Sequence, residues 1–178
     1  MKDPKQFLVE RLRTVPDFPK QGINFRDITS WFLDPECIDT MTEMLVNRYK
    51  DRGITKIVGL ESRGFLMGSI LSRELHAGFV LARKPGKLPV KSVSQSYAKE
   101  YGTDSIEIAC DAISPDDTVL IHDDLLATGG TALAAYNLVK RFQPKRIMLS
   151  FLIELTDEGL HGRDVFPSDV ELDAIVKL

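Results

Sequence analysis

The sequence has few of the features that mark secreted, membrane-spanning or nucleic-acid-binding proteins. Its 178 residues include only two cysteines, Cys37 and Cys110, with no CxxC spacing. This argues against a disulfide framework and against a structural zinc site. No apolar run approaches the roughly 18 residues of a membrane span. The charged start, MKDPKQFLVERLRTVPDF, resembles no signal peptide, so we expect a cytoplasmic protein.

Charge of one sign is also scarce. The formal net charge is −3, which gives no electrostatic footprint for nucleic acid or for an anionic membrane. An anionic ligand would have to be bound by local groups. The hydrophobic share of 43% and the charged share of 28% are ordinary for a globular protein. The length predicts one domain, 1–178, with a substantial core.

Hydrophobic periodicity predicts helices that alternate with strands along most of the chain. The predicted helices are 4–13, 35–49, 64–75 and 131–142, and the predicted strands are 55–60, 78–82, 105–109, 118–121 and 146–153. Such alternation implies right-handed crossovers, and therefore an α/β fold with a mainly parallel open sheet flanked by helices.

Two segments lack this periodicity. Residues 15–29 are marked by proline and glycine and are predicted to be irregular. Residues 83–105 form a long polar segment rich in Lys, Ser, Pro and Gly, and we expect no regular structure before residue 105. A structureless segment of about twenty residues inside a compact domain is unusual, and such loops are often lids or binding loops.

The stretch TVLIHDDLLATGGTALAAYNLVKRF, residues 118–142, has the strand, loop and helix order of an anion site. Backbone N–H groups at a helix start lack internal partners, glycines allow close approach of a phosphate, and threonines add hydroxyl donors. The loop 127–131 fits this description, although it is neither a Walker loop nor a dinucleotide fingerprint. A Gly-Gly pair alone would serve equally well as a simple turn.

Two adjacent acids precede this loop. Asp123 and Asp124 are expected at the carboxyl end of a strand, where ligands bind in open α/β sheets. Ionised carboxylates only accept hydrogen bonds, so they suit the vicinal hydroxyls of a ribose or a divalent cation. Phosphate on the loop and ribose on the acids together describe a ribose 5-phosphate. A metal role for His122 is disfavoured, because strand alternation predicts that it points away from Asp123.

At this point the sequence resembles a known family. VLIHDDLLATGGTA resembles the phosphoribosyl-pyrophosphate (PRPP) motif of the type I phosphoribosyltransferases, and DDLLATGGT resembles the adenine-specific members in particular. Four further stretches agree in order and spacing, so the resemblance covers roughly residues 12–156: PDFPKQGINFRDIT, GLESRGFLMG, ARKPGKLP and YAKEYGTDSIEI. Asn24 and His122 depart from the family, which usually has hydrophobic residues at both positions.

The resemblance implies the transfer of ribose 5-phosphate from PRPP to adenine, giving AMP and pyrophosphate, with Mg²⁺ as cofactor. It also implies a homodimer, a small base-binding hood from residues 1–34 and 154–178, and a flexible catalytic lid at 83–105. We expect Mg²⁺ to be held mainly by PRPP and water, without a protein metal site.

Roles for individual residues follow from the same resemblance. Arg63 and Glu100 are expected to be catalytic, and Asp123 and Asp124 to bind the ribose. The expected 5-phosphate ligands are Ala127, Thr128, Gly129, Gly130 and Thr131. The expected pyrophosphate ligands are Glu61, Ser62, Arg63, Gly64, Arg83, Lys84, Lys87 and Tyr101. The expected base-binding residues are Ile23, Asn24, Phe25, Arg26 and Leu155.

Taken singly, these residues also have simpler interpretations. Ser62 could cap a helix beside a surface Arg63, the lysine-rich loop could be merely solvated, and Phe25 could be a core residue. Two other functions stay open at this point. The acceptor could be hypoxanthine, guanine, xanthine or orotate, or the protein could be a non-catalytic PRPP sensor. The absence of a spare DNA-binding segment disfavours the sensor.

Overall fold

The computed structural model describes residues 3–98, 102–156 and 160–178. The helices are α1 (Pro4–Arg11), α2 (Thr29–Phe32), α3 (Pro35–Tyr49), α4 (Gly64–Glu74) and α5 (Gly130–Lys140). The strands are β1 (Arg13–Val15), β2 (Phe25–Asp27), β3 (Lys56–Leu60), β4 (Gly78–Ala82), β5 (Ser92–Ala98), β6 (Thr103–Ala109), β7 (Thr118–Leu126), β8 (Arg146–Glu154) and β9 (Glu171–Lys177).

The centre of the molecule is a five-stranded sheet in the order β4-β3-β7-β8-β9. Every neighbouring pair in it is parallel. Strands β3, β7 and β8 are almost entirely buried because helices cover both faces, which explains their continuous apolar runs. The strand order places β7 in the middle, so the carboxyl end of β7 lies between those of β3 and β8.

Two hydrophobic clusters pack on opposite faces of this sheet. One contains the buried face of α5 together with Ile121 of β7 and Phe151 of β8. The other contains the buried residues of α1 to α4, with Trp31 and Met67 among them. This arrangement confirms the predicted α/β fold with a mainly parallel sheet flanked by helices. None of the helices in the described ranges is long and apolar enough to cross a membrane.

Several element boundaries match the sequence pattern closely. Helix α3 and strand β4 have the predicted bounds, and α4, β3 and β8 differ by one residue at one end. Helix α1 ends at Arg11, two residues early, because Leu12 adopts an extended conformation. Helix α3 begins with a proline, and the Asp34 carboxylate before it accepts from Glu36 N at 3.0 Å. Both features are typical of a helix start, which explains why the sequence predicts this boundary correctly.

The prediction that residues 83–105 lack regular structure was wrong. Strand β5 pairs antiparallel with β6, and Tyr97 lies opposite Asp104 in this hairpin. The hairpin packs against α5, where Arg141 Nη1 donates to Ser94 O at 2.8 Å. The segment is polar because one of its faces is exposed. Its composition does not favour a strand, and pairing between β5 and β6 stabilises the extended conformation instead.

Three further differences concern strands. Residues 15–29, predicted to be irregular, contain β2, which pairs with β1 through Val15 and Phe25. Strand β7 continues to Leu126, whereas the sequence predicted its end at Ile121, because pairing with β8 outweighs the low strand preference of aspartate. Strand β9 was not predicted and completes one edge of the central sheet.

Candidate active site

The loops that follow β3 and β7 meet at the carboxyl edge of the sheet. Residues Glu61 to Arg63 connect β3 to α4, and a cis peptide bond joins Glu61 to Ser62. Helix α4 begins at Gly64 directly against β7. A β-carbon at Gly64 would lie 2.7 Å from the His122 carbonyl oxygen and 3.0 Å from Asp123 Oδ1. Only glycine allows this approach, which brings the two loops together.

A polar cavity of about 340 Å³ lies between these loops and the β5–β6 hairpin. Its lining residues are Glu61, Ser62, Arg63, Lys84, Tyr97, Asp123, Asp124 and Thr131. The lining therefore combines cations, acids and hydroxyls from segments that are far apart in the sequence. Such a lining suits a ligand that carries both anionic groups and hydroxyls.

A second cavity of about 150 Å³ shares Arg63, Asp123, Asp124 and Thr131 with the first, so the two adjoin. The loop 127–131 lines it, and α5 starts within that loop, at Gly130. Gly129 has a φ of +79°, a conformation that glycine adopts without strain. The first N–H groups of a helix have no partner within it, so the start of α5 suits an anion in this cavity.

The two acids of β7 differ in their surroundings. Asp123 accepts a hydrogen bond from the backbone N–H of Asp124 at 2.9 Å. Burial, and then the charge of Asp124, hold the pKa of Asp123 well above its usual value of 3.8. Asp124 is only 4% exposed and is paired with a cation instead. Burial and like-charge repulsion thus disfavour the charged form of Asp123, while Asp124 has a counter-charge.

Arg63 links three parts of the site. Its Nε donates to Asp124 Oδ2 at 2.6 Å, and its Cζ lies 5.7 Å from the ring centroid of Phe25. Phe25 in turn makes an edge-on contact with Phe18 at a centroid distance of 5.2 Å. Because 51% of Phe18 is exposed, this aromatic pair forms an open apolar wall beside the charged cavity. Such a wall suits stacking by a planar ring.

The Glu61 carboxylate holds the start of the lysine-rich loop in place. It accepts from the Lys84 backbone N–H at 2.8 Å and from Arg83 Nε at 3.2 Å. These hydrogen bonds lower the pKa of Glu61, the one from Lys84 most. Glu61 is thus an ionised anchor for two cationic residues.

Lys84 reaches the cavity from this anchored loop. Its ammonium group forms an ion pair with Asp104 and donates to the Tyr97 hydroxyl at 3.2 Å. Burial opposes its charge, but the bonds to Asp104 and Tyr97 outweigh burial and raise the pKa of Lys84. The cation therefore stays charged and is tied to the hairpin.

A model of the phosphoribosyl transferase domain matches residues 32–167 of this chain. The chain belongs to the phosphoribosyl transferase family. It is 54% identical over 174 residues to the adenine phosphoribosyltransferase of Phocaeicola vulgatus, covering 98% of this chain and 99% of that protein.

Solved structures of the same family agree with this assignment. The adenine phosphoribosyltransferase of Rhodothermus marinus superposes with a TM-score of 0.91 at 48% identity, over 98% of both chains. The Saccharomyces cerevisiae enzyme gives a TM-score of 0.89 at 36% identity, over 98% of this chain and 99% of that one. That structure is a complex with D-2,5-dideoxy-2,5-imino-altritol 1,6-bisphosphate and adenine. The family and enzyme class predicted from the sequence are confirmed.

Within this phosphoribosyl transferase, most of the residues singled out from the sequence lie around the two cavities. Gly64 lies directly behind Asp123. Arg83 does not line either cavity, because its guanidinium donates to Glu61 and to the Lys87 carbonyl oxygen. Lys87 itself is exposed.

The residues expected to bind the base lie elsewhere. Ile23 and Asn24 are exposed, and Arg26 donates to Thr14 Oγ1 at 2.9 Å. Leu155 directly follows β8, and its N–H bonds Leu126 O. Glu100 and Tyr101 lie outside the described residues.

The sequence reading missed Tyr97, Asp104 and Phe18. Tyr97 and Asp104 are brought together by cross-strand pairing in a hairpin that was not predicted. The only available signal was the alternation of Val93, Gln95 and Tyr97 along β5. Phe18 lies inside the family stretch PDFPKQGINFRDIT, but nothing in the pattern separates it from a core residue.

Proposed function

We propose that this chain catalyses the transfer of ribose 5-phosphate from PRPP to adenine, giving AMP and pyrophosphate. The observation that carries the proposal is that Arg63, Asp123 and Asp124 line two adjoining cavities. The loop 127–131 lines the smaller one, and Lys84 lines the larger one. That combination fits a phosphorylated sugar with a second anionic group. The relatives named adenine phosphoribosyltransferase, about half identical over nearly the full chain, confirm the activity predicted from the sequence.

In this proposal the smaller cavity binds the 5-phosphate. The N–H groups of 127–131 and the Thr131 hydroxyl donate to its oxygens. Asp123 and Asp124 then accept from the ribose hydroxyls, since both acids line the two cavities. This places the anomeric carbon in the larger cavity, below the loop that begins at Glu61.

The pyrophosphate then lies among Ser62, Arg63, Gly64 and Lys84. We assign Glu61 to this group as the anchor of Arg83 and Lys84, because a carboxylate would repel pyrophosphate directly. Lys87 and Tyr101 complete the set predicted from the sequence. Arg63 and Lys84 are each paired with a protein acid, so pyrophosphate would share or replace those partners.

The reaction develops opposite charges at the two ends of the breaking bond. The sugar becomes oxocarbenium-like, and the leaving pyrophosphate gains negative charge. Arg63 and Lys84 would stabilise the second charge, and the two aspartates would stabilise the first. The phosphate loop, remote from the reacting carbon, contributes orientation. Glu100 stays our candidate for proton transfer on the base.

Adenine would stack on the Phe25 side of Arg63. The Phe18–Phe25 wall supplies the aromatic surface, and backbone groups of 23–26 and Leu155 would read the base edge. Residues 1–34 and 154–178 would form the hood over the base, with 83–105 as the catalytic lid. Strand β9 nevertheless belongs to the central sheet, so only part of 154–178 is available for the hood.

Mg²⁺ is the proposed cofactor, and the donor set of the site fits a metal carried by the substrate. No group of three or more His, Cys, Asp or Glu residues that could hold a metal ion occurs within 3–98, 102–156 and 160–178. Of the acids lining the larger cavity, Glu61 is engaged by Arg83 and Lys84, and Asp124 by Arg63. Bound through PRPP oxygens and water, Mg²⁺ would neutralise charge on the pyrophosphate.

A base-by-base assay with PRPP and Mg²⁺ tests the proposal. We expect release of pyrophosphate with adenine, and little with guanine, hypoxanthine, xanthine or orotate. Activity on guanine but not on adenine would refute the acceptor. Binding of PRPP without pyrophosphate release for any base would support a sensor instead. We further propose a cytoplasmic homodimer, and light scattering on the purified protein tests its oligomeric state.

A further inference from the structure

We propose that Gly162 and Arg163 are positioning residues that brace the phosphate-binding loop 127–131 from outside the substrate cavities. The proposal rests on the function assigned to that loop above. Neither residue lines the two cavities. Their effect on catalysis would therefore pass through the backbone of the loop.

The first observation is a direct contact between two backbones. Gly162 is buried, and a β-carbon placed on it would overlap the Ala127 carbonyl oxygen and lie 3.1 Å from the Gly129 nitrogen. The relation is mutual, since a β-carbon on Gly129 would overlap the Gly162 carbonyl oxygen. Two glycines thus allow the segment around Gly162 to press against the phosphate loop at van der Waals distance.

The second observation is that this segment is fixed to the central sheet. Arg163 donates to the Glu154 carboxylate through Nε at 2.9 Å and through Nη2 at 2.7 Å. A third bond runs from its Nη1 to Leu172 O at 2.7 Å. Glu154 is only 5% exposed and lies at the end of β8, where it pairs with Leu126 of β7. Arg163 therefore links the segment around Gly162 to β8, the strand that pairs with β7 just before the loop.

The other end of the segment is fixed to α5. Phe166 is buried, and its ring packs edge-on against Tyr136 at a centroid distance of 6.2 Å. Val165 Cγ2 lies 2.8 Å from the point where a Gly129 β-carbon would stand. The loop and the first turn of α5 are thus enclosed by a segment anchored on β8, on β9 and on α5 itself.

A phosphate site made of backbone N–H groups depends on their alignment. These donors cannot adjust through side-chain rotation, so a backbone shift of a few tenths of an ångström degrades several bonds at once. The contact with Gly162, held in place by Arg163, supplies the rigidity that a short loop with two adjacent glycines would not have alone. It should therefore affect PRPP and AMP, which carry the 5-phosphate, and not adenine.

Gly162→Ala is the direct test. The added methyl group must displace Ala127 or Gly129, so we expect the KM for PRPP to rise roughly 10- to 100-fold while the KM for adenine changes less than about twofold. Gly53→Ala is the control for a glycine-to-alanine change away from the loop, because Gly53 has a φ of +65° and a β-carbon there meets nothing within 4 Å. The control should lower Tm without changing either KM. A PRPP KM within twofold of wild type in folded Gly162→Ala protein would overturn the proposal.

Arg163→Lys provides a second variant that keeps the charge and the fold. Lysine cannot reproduce the two-point bond to Glu154 together with the bond to Leu172, so we expect a smaller rise in the PRPP KM. Titration of ribose 5-phosphate in a calorimeter separates the two claims. Failure of the wild-type protein to bind ribose 5-phosphate would count against the proposed function. Equal binding by wild type, Gly162→Ala and Arg163→Lys would count against the brace alone.

Discussion

The Nε atom of Arg63 lies 2.6 Å from Oδ2 of Asp124, so a charge-assisted hydrogen bond joins the loop after β3 to the end of β7. One partner is the proposed pyrophosphate ligand, and the other is the proposed ribose ligand. The two halves of the proposed PRPP site are therefore coupled through this ion pair. Replacing either partner should affect the handling of both ends of the donor.

Asp124→Asn keeps the shape of the side chain but removes the charge that faces Arg63 and the ribose. We expect kcat/KM to fall on the order of 10- to 1000-fold, because one charged contact to the transition state is lost. Steady-state kinetics with PRPP and adenine measure this, and Asp116→Asn on the exposed surface is the control. Wild-type kinetics in Asp124→Asn would contradict the ribose assignment.

Asp123→Asn should stabilise the protein while it lowers activity. The raised pKa of Asp123 means that the folded state binds a proton more tightly than the unfolded state, whose value is near 3.8. The folded protein therefore loses stability as the pH rises above 3.8 and through the raised pKa. Asparagine mimics the protonated acid and escapes this loss.

Thermal melts from pH 4 to pH 8 measure this effect. We expect Tm of Asp123→Asn to exceed that of wild type increasingly as the pH rises, by about 2–4 °C for each kcal/mol recovered. At the acid end the two curves should converge. A difference that is constant with pH would show that the titration of Asp123 is not its source.

Thr131→Val tests the 5-phosphate assignment. Thr131 lines both cavities, and valine keeps its size while removing the hydroxyl donor. We expect the KM for PRPP to rise about 10- to 150-fold, the equivalent of one hydrogen bond of about 1.5–3 kcal/mol to a charged group. Thr40→Val is the control, because the Thr40 hydroxyl donates to Glu36 O within α3 and lies outside both cavity linings. An effect confined to the KM for adenine would contradict the placement.

His122 should make the protein sensitive to acid. Its side chain is fully buried, and neither ring nitrogen has a hydrogen-bond partner among the residues that the structure describes. Burial lowers the pKa of His122 from 6.5 to about 4. The unfolded chain therefore takes up a proton first, and stability is lost as the pH falls from 6.5 towards 4, by on the order of 2–3 kcal/mol.

His122→Leu removes this titration, so its Tm should fall less than that of wild type between pH 6.5 and 4.5. The exposed residue His76, replaced by asparagine, which tolerates its positive φ of 51°, is the control and should keep the wild-type slope. Parallel curves for wild type and His122→Leu would mean that other groups dominate the acid response.

The sequence predicted those elements that carry their own signals. Helix α3 has a capping Asp34, an N-terminal proline and apolar residues at helical spacing, and both of its ends were correct. Asp123, Asp124 and the loop 127–131 could be singled out because they lie close together in the sequence, at and after the end of a buried strand. In these cases local chemistry and the global fold agree.

The remaining features depend on partners elsewhere in the chain. Strand β5 has a polar sequence and is ordered by β6, and the second half of β7 is extended only because β8 pairs with it. Lys84 pairs with Asp104 of β6, and Gly162 contacts the loop 127–131 from a segment far along the sequence. No local pattern encodes such long-range contacts, so sequence reasoning could name Lys84 but not Asp104, and Gly129 but not Gly162.

The central position of β7 limits how this enzyme can change its length during evolution. Adjacent residues of a strand point to opposite faces, so inserting or deleting one residue between 118 and 120 would exchange the faces of Asp123 and Asp124 and turn Ile121 out of its cluster. The exposed connection at 114–116 leads into the same strand without such a constraint. We therefore expect natural length variants to gather in that connection and to be absent from the strand.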